Sequence, residues 1–176
     1  NGGGIMSNWG CYDLDYLLSL LPAEDHPVEV TASIRGIPRE ISRWVAPGSD
    51  AETFVSVMIR FVSGATVHLN RGEFLPLASG RNETLILGDS ATVTAPMVSL
   101  DDPVTLTRYD PKGSATESIG PAGKRYGSFH QGMIQDFVTA ILEQREPATG
   151  LARARVIQSI TDAIYRSAKE QRSISL

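Results

Sequence analysis

GGGIMSNWGCYDLDYLLSLL, residues 2 to 21, sets the architecture of this chain. Its leucines recur with the period of a helix, at i, i+3, i+4 and i+7: Leu14, Leu17, Leu18 and Leu21. Together with Ile5, Met6 and Trp9 they predict a helix with one buried side. The three preceding glycines carry no side chain, so the backbone can approach a neighbouring segment closely.

A column of polar side chains runs along another side of the same predicted helix. Asn8, Tyr12, Asp15 and Ser19 follow one another at i, i+4, i+7 and i+11, which places them on one face. A helix of this kind usually directs its polar column at a site, a partner or a water-lined crevice. The same pattern is compatible with Asn8 and Asp15 lying in open solvent.

The composition excludes several classes of partner. The 176 residues are 41% hydrophobic, which predicts one globular domain spanning the chain. The net charge is −4, from 16 basic and 20 acidic side chains, and no Lys/Arg cluster could follow a phosphate backbone. No apolar run reaches the roughly 18 residues of a membrane span. We therefore expect neither a nucleic-acid nor a membrane partner.

The cysteine content and the first residues bear on where the protein works. The single cysteine, Cys11, excludes an internal disulfide framework and is compatible with a reducing compartment, so the cytoplasm is the expected location. The sequence starts at Asn1 without an initiator Met or a leader. We expect it to be part of a longer polypeptide.

Beyond the turn at Leu21-Pro22, apolar and polar residues alternate as in strands separated by turns. The pattern predicts a strand at 28–37, a loop at 39–50, and three hairpins at 53–74, 83–95 and 104–119. Helical periodicity returns at 129–142 and again after Gly150. The tail, 173–176, can add an edge strand.

This order of elements predicts an α+β fold. Hairpins imply antiparallel neighbours, so we expect a largely antiparallel open sheet of about six or seven strands with the helices packed on one face. The other face would carry alternate strand residues of mixed polarity: Ser56, Met58, Arg60, Thr66, His68 and Asn70. Such a face suits a subunit interface as well as water.

Few other motifs carry chemistry. Gly2 to Gly4 could offer backbone N–H groups to a phosphate or could simply allow close packing. The motif lacks the G-x-G-x-x-G spacing of a dinucleotide fold, which favours close packing. His26, His68 and His130 are scattered and Cys11 stands alone, so we expect no metal site.

The stretch from Gly2 to Asp15 resembles the signature of the C-terminal domain of the Gfo/Idh/MocA oxidoreductases, the family of glucose-fructose oxidoreductase and inositol dehydrogenase. The family pattern is approximately G-G-G-x-x-x-D-x-G-x-H-x-x-D, and this chain matches it at Gly2, Gly3, Gly4, Gly10 and Asp15. The later segments FVSVMIRFVSGATVHLN, LILGDSATVT and AIYRSA are similar to the family as well. The likeness therefore extends over nearly the whole chain.

The resemblance implies an NAD(P)-dependent oxidoreductase that acts on a sugar, a polyol or a related hydroxyl compound. It implies that the dinucleotide-binding domain and its catalytic lysine lie N-terminal to Asn1, together with a first strand of the sheet. NAD or NADP would then serve the full-length protein, and this fragment alone would bind none and be inactive. Family members commonly pair subunits through the open sheet face, so a homo-oligomer is expected.

Two positions depart from the family pattern. Asn8 stands where the pattern has Asp, and Tyr12 stands where it has His. Tyr12 can exchange a proton, but its unperturbed pKa is about 10, so it would need a nearby cation. Some family members, glucose-fructose oxidoreductase among them, use Tyr there. Asn8 can only orient a hydroxyl through hydrogen bonds.

We therefore predict Tyr12 as the catalytic acid/base, and Asn8, Tyr12 and Asp15 as substrate-binding residues, with no cofactor-binding or metal-binding residue in this chain. Two alternatives stay open. Tyr12 could be a tyrosine that lines the core. The protein could also be a non-catalytic sugar-binding or dimerisation scaffold derived from the same family.

Overall fold

The structure, a computed structural model, describes residues 3–75, 83–96, 102–121 and 130–176. Its first helix has two segments, a π-helical turn at Met6–Gly10 and α1 at Cys11–Ser19, which together we name the N-terminal helix. A short 3-10 turn follows at Ser42–Trp44. The two later helices are α2, Gln131–Glu143, and α3, Leu151–Glu170.

The described residues also form eight strands. Their bounds are β1 Pro27–Arg35, β2 Phe54–Phe61, β3 Thr66–Gly72, β4 Glu83–Leu87, β5 Ala91–Pro96, β6 Pro103–Asp110, β7 Gly113–Pro121 and β8 Ile174–Ser175. They make two sheets, ordered β3-β2-β1-β8 and β4-β5-β6-β7, and every pairing is antiparallel. The chain divides into two compact units, Asn1–Pro76 with Glu146–Leu176, and Leu77–Arg145.

The first unit contains the buried core. Alternate residues of β2 are buried, as the period of two requires for a strand with one face inside: Val55, Val57, Ile59 and Phe61. The N-terminal helix buries Leu14 and Leu18 against this cluster, and α3 adds Ile160 and Ile164. Both helices therefore cover one face of the first sheet, because each carries an apolar stripe at the helical period.

The other face of the first sheet is open and polar. Met58 is opposite His68 in the register and Ser56 is opposite Asn70, so these side chains share one face. His68, Asn70 and Thr66 are exposed, and Ser56 and Met58 are half-buried. The prediction of a mixed, open face is confirmed for this sheet.

The second unit consists of a four-stranded meander and α2. Threonines dominate one face of the meander, since Thr92 pairs with Thr107 and Thr107 with Thr116, and the hydroxyl oxygens of Thr107 and Thr116 lie 3.0 Å apart. The apolar residues of α2 follow the predicted helical spacing and are largely exposed: Met133, Ile134, Phe137, Val138, Ile141 and Leu142. Phe129, the predicted first apolar residue of this helix, lies outside the described residues.

The predicted antiparallel α+β fold is confirmed. The sequence predicts one open sheet of six or seven strands, whereas the described strands divide four and four between two sheets. The difference arises because turn chemistry specifies which strands are neighbours within a hairpin and does not specify pairing between hairpins. The tail forms β8, which pairs with β1 at the edge of the first sheet, as expected.

Candidate functional site

The N-terminal helix begins against Glu52, two residues before β2, rather than on a capping residue of its own. The backbone N–H of Ile5 donates to the carbonyl of Glu52 at 2.9 Å, and the N–H of Met6 donates to Oε1 of Glu52, also at 2.9 Å. Glu52 is buried. Glu52 therefore satisfies two N–H groups that a helix start leaves unpaired, one through its carbonyl and one through its carboxylate, and its charge is favourable at the positive end of the helix dipole.

The glycines at the start of the helix allow this contact. A Cβ on Gly4 would lie 2.1 Å from the carbonyl oxygen of Glu52, and Gly3 has a φ of +72°, a conformation that favours glycine. Close packing is therefore the role that Gly3 and Gly4 fulfil, and Gly2 lies outside the described residues.

A hydrogen-bonded group links Glu52 to α3. The Tyr165 hydroxyl donates to Oε1 of Glu52 at 2.9 Å and lies 2.9 Å from the Ser7 hydroxyl. Burial of the phenol, and then the Glu52 carboxylate beside it, raise the pKa of Tyr165, while its contact with Ser7 lowers it. Tyr165 therefore stays protonated and serves as a fixed donor that holds the first turn of the helix in place.

A cleft of about 510 Å³ opens beside this first turn. We name it the Asn8 cleft; its lining residues are Gly3, Gly4, Ile5, Ser7, Asn8, Ile37, Ile41, Val45, Ala51, Glu52, Thr53, Glu73 and Phe74. The loop between β1 and β2 thus supplies an apolar part of its wall, and the N-terminal helix supplies the amide of Asn8. Phe74 has a φ of +58°, which is unusual for a bulky residue and often accompanies a functional site.

Of the two residues that the sequence predicts as partners, only Asn8 lines the cleft. Asn8 is exposed and lines the cleft, whereas Tyr12 is not among the residues that line it. The Tyr12 ring instead lies beside Trp9, with 6.1 Å between the ring centroids, and the residue is 65% exposed. The alternative that Tyr12 lines the core is therefore wrong.

Trp9 is also exposed, at 47%, although the sequence places it on the buried side. The Trp9 ring contacts Arg71 at the end of β3, whose guanidinium carbon lies 5.5 Å from the ring centroid. A cation over an indole face is attracted by the ring. Trp9 and Tyr12 together form an aromatic surface on the outside of the helix.

Asp13 is a buried acid that sequence reasoning missed. It lies 3.6 Å from Nε of Arg71, and its Oδ2 accepts no hydrogen bond from the described residues. Burial raises the pKa of Asp13, and the Arg71 charge opposes that shift in part. The one feature of the sequence that could have indicated its burial is its position next to Leu14, which is buried. That position does not reveal that Arg71 on β3 is its partner.

Asp15, the third predicted site residue, is bound to α3. Nε of Arg153 donates to Oδ1 of Asp15 at 2.9 Å, and Nη2 of Arg153 donates to the Asp15 carbonyl at 2.7 Å. This pair joins the N-terminal helix to α3. Oδ2 of Asp15 accepts no hydrogen bond from the described residues.

A second cavity, of about 380 Å³, lies between the N-terminal helix and α3, and Cys11 and Tyr165 are among its lining residues.

Among the described residues, no group of three or more His, Cys, Asp or Glu side chains is placed to hold a metal ion. No helix within the described residues has the length and hydrophobicity of a membrane span.

Comparison with known proteins places the chain in a family. The family model described as the GFO/IDH/MocA C-terminal domain matches residues 1–94, so the chain belongs to the GFO/IDH/MocA family. Among curated protein sequences, none matches the chain.

Solved structures share the fold. The chain is similar to levoglucosan dehydrogenase in complex with NADH and L-sorbose, with a TM-score of 0.80, 18% identity, and coverage of 99% of this chain and 50% of that one. It is also similar to aldose-aldose oxidoreductase from Caulobacter crescentus complexed with glycerol, with a TM-score of 0.71 and 22% identity, covering 99% of this chain and 48% of that one. An NAD-binding protein from Listeria innocua matches with a TM-score of 0.70 and 20% identity, covering 99% of this chain and 48% of that one. The chain spans about half the length of these proteins.

Proposed function

We propose that this chain is the substrate-binding domain of an NAD(P)-dependent oxidoreductase that acts on a sugar, a polyol or a related hydroxyl compound. The observation that carries the proposal is the Asn8 cleft, which opens beside the signature helix in a chain of the GFO/IDH/MocA family. The similar structures include an aldose-aldose oxidoreductase and a levoglucosan dehydrogenase, which supports the substrate class.

The chain's own residues would bind the substrate and move its proton. The Asn8 amide is proposed to orient a substrate hydroxyl in the cleft, since an amide both donates and accepts hydrogen bonds. Tyr12 is proposed as the acid/base that exchanges the hydroxyl proton, and its exposure supports this role. Asp15 is proposed to contact the substrate through Oδ2, while Oδ1 remains with Arg153.

The start of the N-terminal helix is a poor position for the phosphates of a dinucleotide. The Glu52 carboxylate accepts a hydrogen bond from the first turn of this helix and would repel phosphate there. We therefore propose that NAD or NADP is bound by polypeptide N-terminal to this chain. On this proposal, the 176 residues alone bind no nicotinamide and are inactive.

Formation of reduced nicotinamide tests the function. The complete protein is mixed with NAD or NADP and a panel of sugars and polyols, and the absorbance of the reduced cofactor is followed. We expect turnover of at least one compound by the complete protein and none by the 176-residue chain. Sugar binding without any turnover would favour the alternative, a non-catalytic scaffold. That alternative is motivated by Asn8 and Tyr12, which stand where the family pattern has Asp and His.

We further propose that the complete protein is a cytoplasmic homo-oligomer. The open face of the first sheet supports the interface, because Thr66, His68 and Asn70 are exposed on it. Sedimentation of the complete protein checks the assembly, and a Met58→Asp variant, which adds charge to that face, should shift it towards the monomer. A monomeric unsubstituted protein would contradict the proposal.

A further inference from the structure

Arg71 is a cation on the covered face of the first sheet. It follows the buried Leu69 by two residues on β3, so the two side chains share a face, and it lies opposite the fully buried Val55. An apolar residue would suit this position. A charge there needs a partner, because burying an unpaired charge is costly.

Asp13 supplies that partner from the N-terminal helix. Its Oδ2 lies 3.6 Å from Nε of Arg71, and the aspartate is 7% exposed. Burial raises the pKa of Asp13 and the Arg71 charge lowers it, so the two groups interact through their charges. Because Asp13 is packed within the first unit, this attraction holds the guanidinium beside the helix.

The same guanidinium covers a face of the Trp9 ring. Its carbon lies 5.5 Å from the ring centroid, within the roughly 6 Å at which an aromatic ring attracts a cation. Trp9 and Asp13 are four residues apart, so Arg71 spans one turn of the helix between them. Trp9 is exposed, and its contact with Arg71 restrains a ring that solvent would leave free to turn.

Trp9 in turn packs against Tyr12. The two ring centroids lie 6.1 Å apart and the ring planes are inclined at 50°, an arrangement typical of interacting aromatic pairs. The Tyr12 hydroxyl makes no hydrogen bond with the described residues, so the Trp9 ring is what restrains the phenol within them. An acid/base must stay within hydrogen-bond reach of the proton that it exchanges, and small displacements slow the reaction.

We propose that Arg71 is a positioning residue for the acid/base. Held by Asp13, it fixes the Trp9 ring, and the Trp9 ring orients the Tyr12 phenol for proton exchange. The proposal rests on the proposed function, because it concerns the acid/base of that reaction. It involves contacts within this chain alone and leaves a separate role to the catalytic lysine that the family resemblance implies.

Removing both charges together tests the role of Arg71. In the complete protein, Asp13→Asn combined with Arg71→Met leaves no buried charge unpaired, and methionine fills the space of the arginine stem, so the variant should fold. We expect kcat/KM to fall by about tenfold or more through kcat, with KM little changed, because a displaced acid/base slows the chemical step.

Arg71→Lys is a second variant that keeps the pair charged. It retains a cation beside Asp13, but an ammonium lacks the planar guanidinium that stacks on an aromatic ring. Its kcat/KM should lie between those of the unsubstituted protein and of the variant without both charges.

Tyr12→Phe distinguishes positioning from general damage to the site. Once the hydroxyl is absent, the orientation of the ring no longer matters for proton exchange. Adding the two charge substitutions to Tyr12→Phe should therefore lower kcat/KM by less than about twofold further. A loss of equal size with and without the Tyr12 hydroxyl would overturn the proposal.

Acrylamide quenching of fluorescence reports on Trp9 directly. The difference between each protein and its Trp9→Phe counterpart isolates the Trp9 signal from that of other tryptophans. Removal of the guanidinium uncovers a face of the ring, so the quenching constant of Trp9 should rise in the variant without both charges and return towards its original value in Arg71→Lys.

Arg43→Met is the matched control. The Arg43 guanidinium carbon lies 3.9 Å from the centroid of the Trp44 ring, and neither residue lines either cavity. This variant makes the same chemical change over another tryptophan, and it should alter neither the Trp9 signal nor kcat/KM.

The outcomes separate the two proposals. Turnover by the unsubstituted protein together with an unchanged kcat/KM, or an unchanged Trp9 signal, in the variant without both charges would overturn the positioning role and leave the oxidoreductase function in place. A complete protein that turns over no compound of the panel would overturn the proposed function, and the positioning role with it.

Discussion

At the scale of single residues, the exposed phenol of Tyr12 is the group on which the proposed chemistry depends. Tyr12→Phe removes only the hydroxyl, and the exposed ring can keep its place beside Trp9. General acid/base catalysis contributes about 10²-fold or more, so kcat/KM of the complete protein should fall by at least that factor while substrate binding changes little. Steady-state kinetics with the best substrate of the panel measures this fall in kcat/KM.

Tyr16→Phe is the matched control, because it makes the same chemical change on the same helix at a residue that lines neither cavity. Its kcat/KM should equal that of the unsubstituted protein. An unchanged rate in Tyr12→Phe would remove Tyr12 from the mechanism and leave the reacting proton to another group.

Asp13 gives a pH-dependent prediction. Its pKa in the folded protein is raised, chiefly by burial, so the folded state holds the proton more strongly than the unfolded chain does. The stability that this group contributes is therefore complete below the unfolded pKa and is lost as the pH rises through the folded pKa. Asp13→Asn removes the titration, so the Tm of the variant relative to the unsubstituted protein should increase from acidic to neutral pH.

The reference variant for that comparison is Asp89→Asn, which replaces an exposed aspartate in a turn and should show a Tm difference that is flat with pH. Thermal unfolding in a series of buffers measures both variants. A Tm difference for Asp13→Asn that falls as the pH rises would mean that attraction by Arg71 outweighs burial.

Residue-scale features were the least accessible to sequence reasoning. Asn8 could be placed in a polar column, and it does line a cleft, but the walls of that cleft come from the loop between β1 and β2 and from Glu73. The burial of Asp13 depends on Arg71, which belongs to another element. Periodicity within one segment contains no information about such contacts, because they arise only when elements pack.

At the scale of elements, the start of the N-terminal helix must pack closely against the backbone of Glu52, just before β2. Gly4→Ala would bring a methyl carbon within 2.1 Å of the Glu52 carbonyl oxygen, a backbone atom that cannot move aside cheaply. Overpacking of this kind costs about 1–3 kcal/mol or more. Chemical denaturation should show that loss, together with a lower Tm.

Gly36→Ala is the control for the same change. A Cβ at Gly36 would meet nothing within 4 Å, and its φ lies outside the region that favours glycine. The free energy of unfolding should therefore stay within about 0.5–1 kcal/mol of the unsubstituted protein. A Gly4→Ala variant as stable as Gly36→Ala would mean that the helix start is not held against Glu52.

Most elements could be predicted because their signals are local. The leucine spacing identifies the N-terminal helix, and Ser63-Gly64 and Gly88-Asp89-Ser90 mark the first two hairpins. The π-helical turn at Met6–Gly10 could not be predicted, since one widened turn barely changes a hydrophobic pattern. That turn contains Asn8 and precedes Tyr12, so it affects the geometry of the predicted pair.

At the scale of the whole molecule, the first unit is assembled from both ends of the chain. Its sheet takes β1 to β3 from the first part and β8 from the last residues, and α3 covers the same sheet. The sequence predicts an edge strand at the tail, but the partner of that strand, β1, follows only from the packed structure.

The last residues should therefore contribute to stability out of proportion to their number. Ile174 is 2% exposed and lies opposite Val30, which is fully buried, so Ile174→Ala leaves a cavity between β8 and β1. Large-to-small changes at such positions cost about 2–5 kcal/mol. Leu176→Ala removes a side chain that is 46% exposed and should cost well under half as much. Urea unfolding of both variants measures the difference; equal, small losses would show that Ile174 is not part of the core.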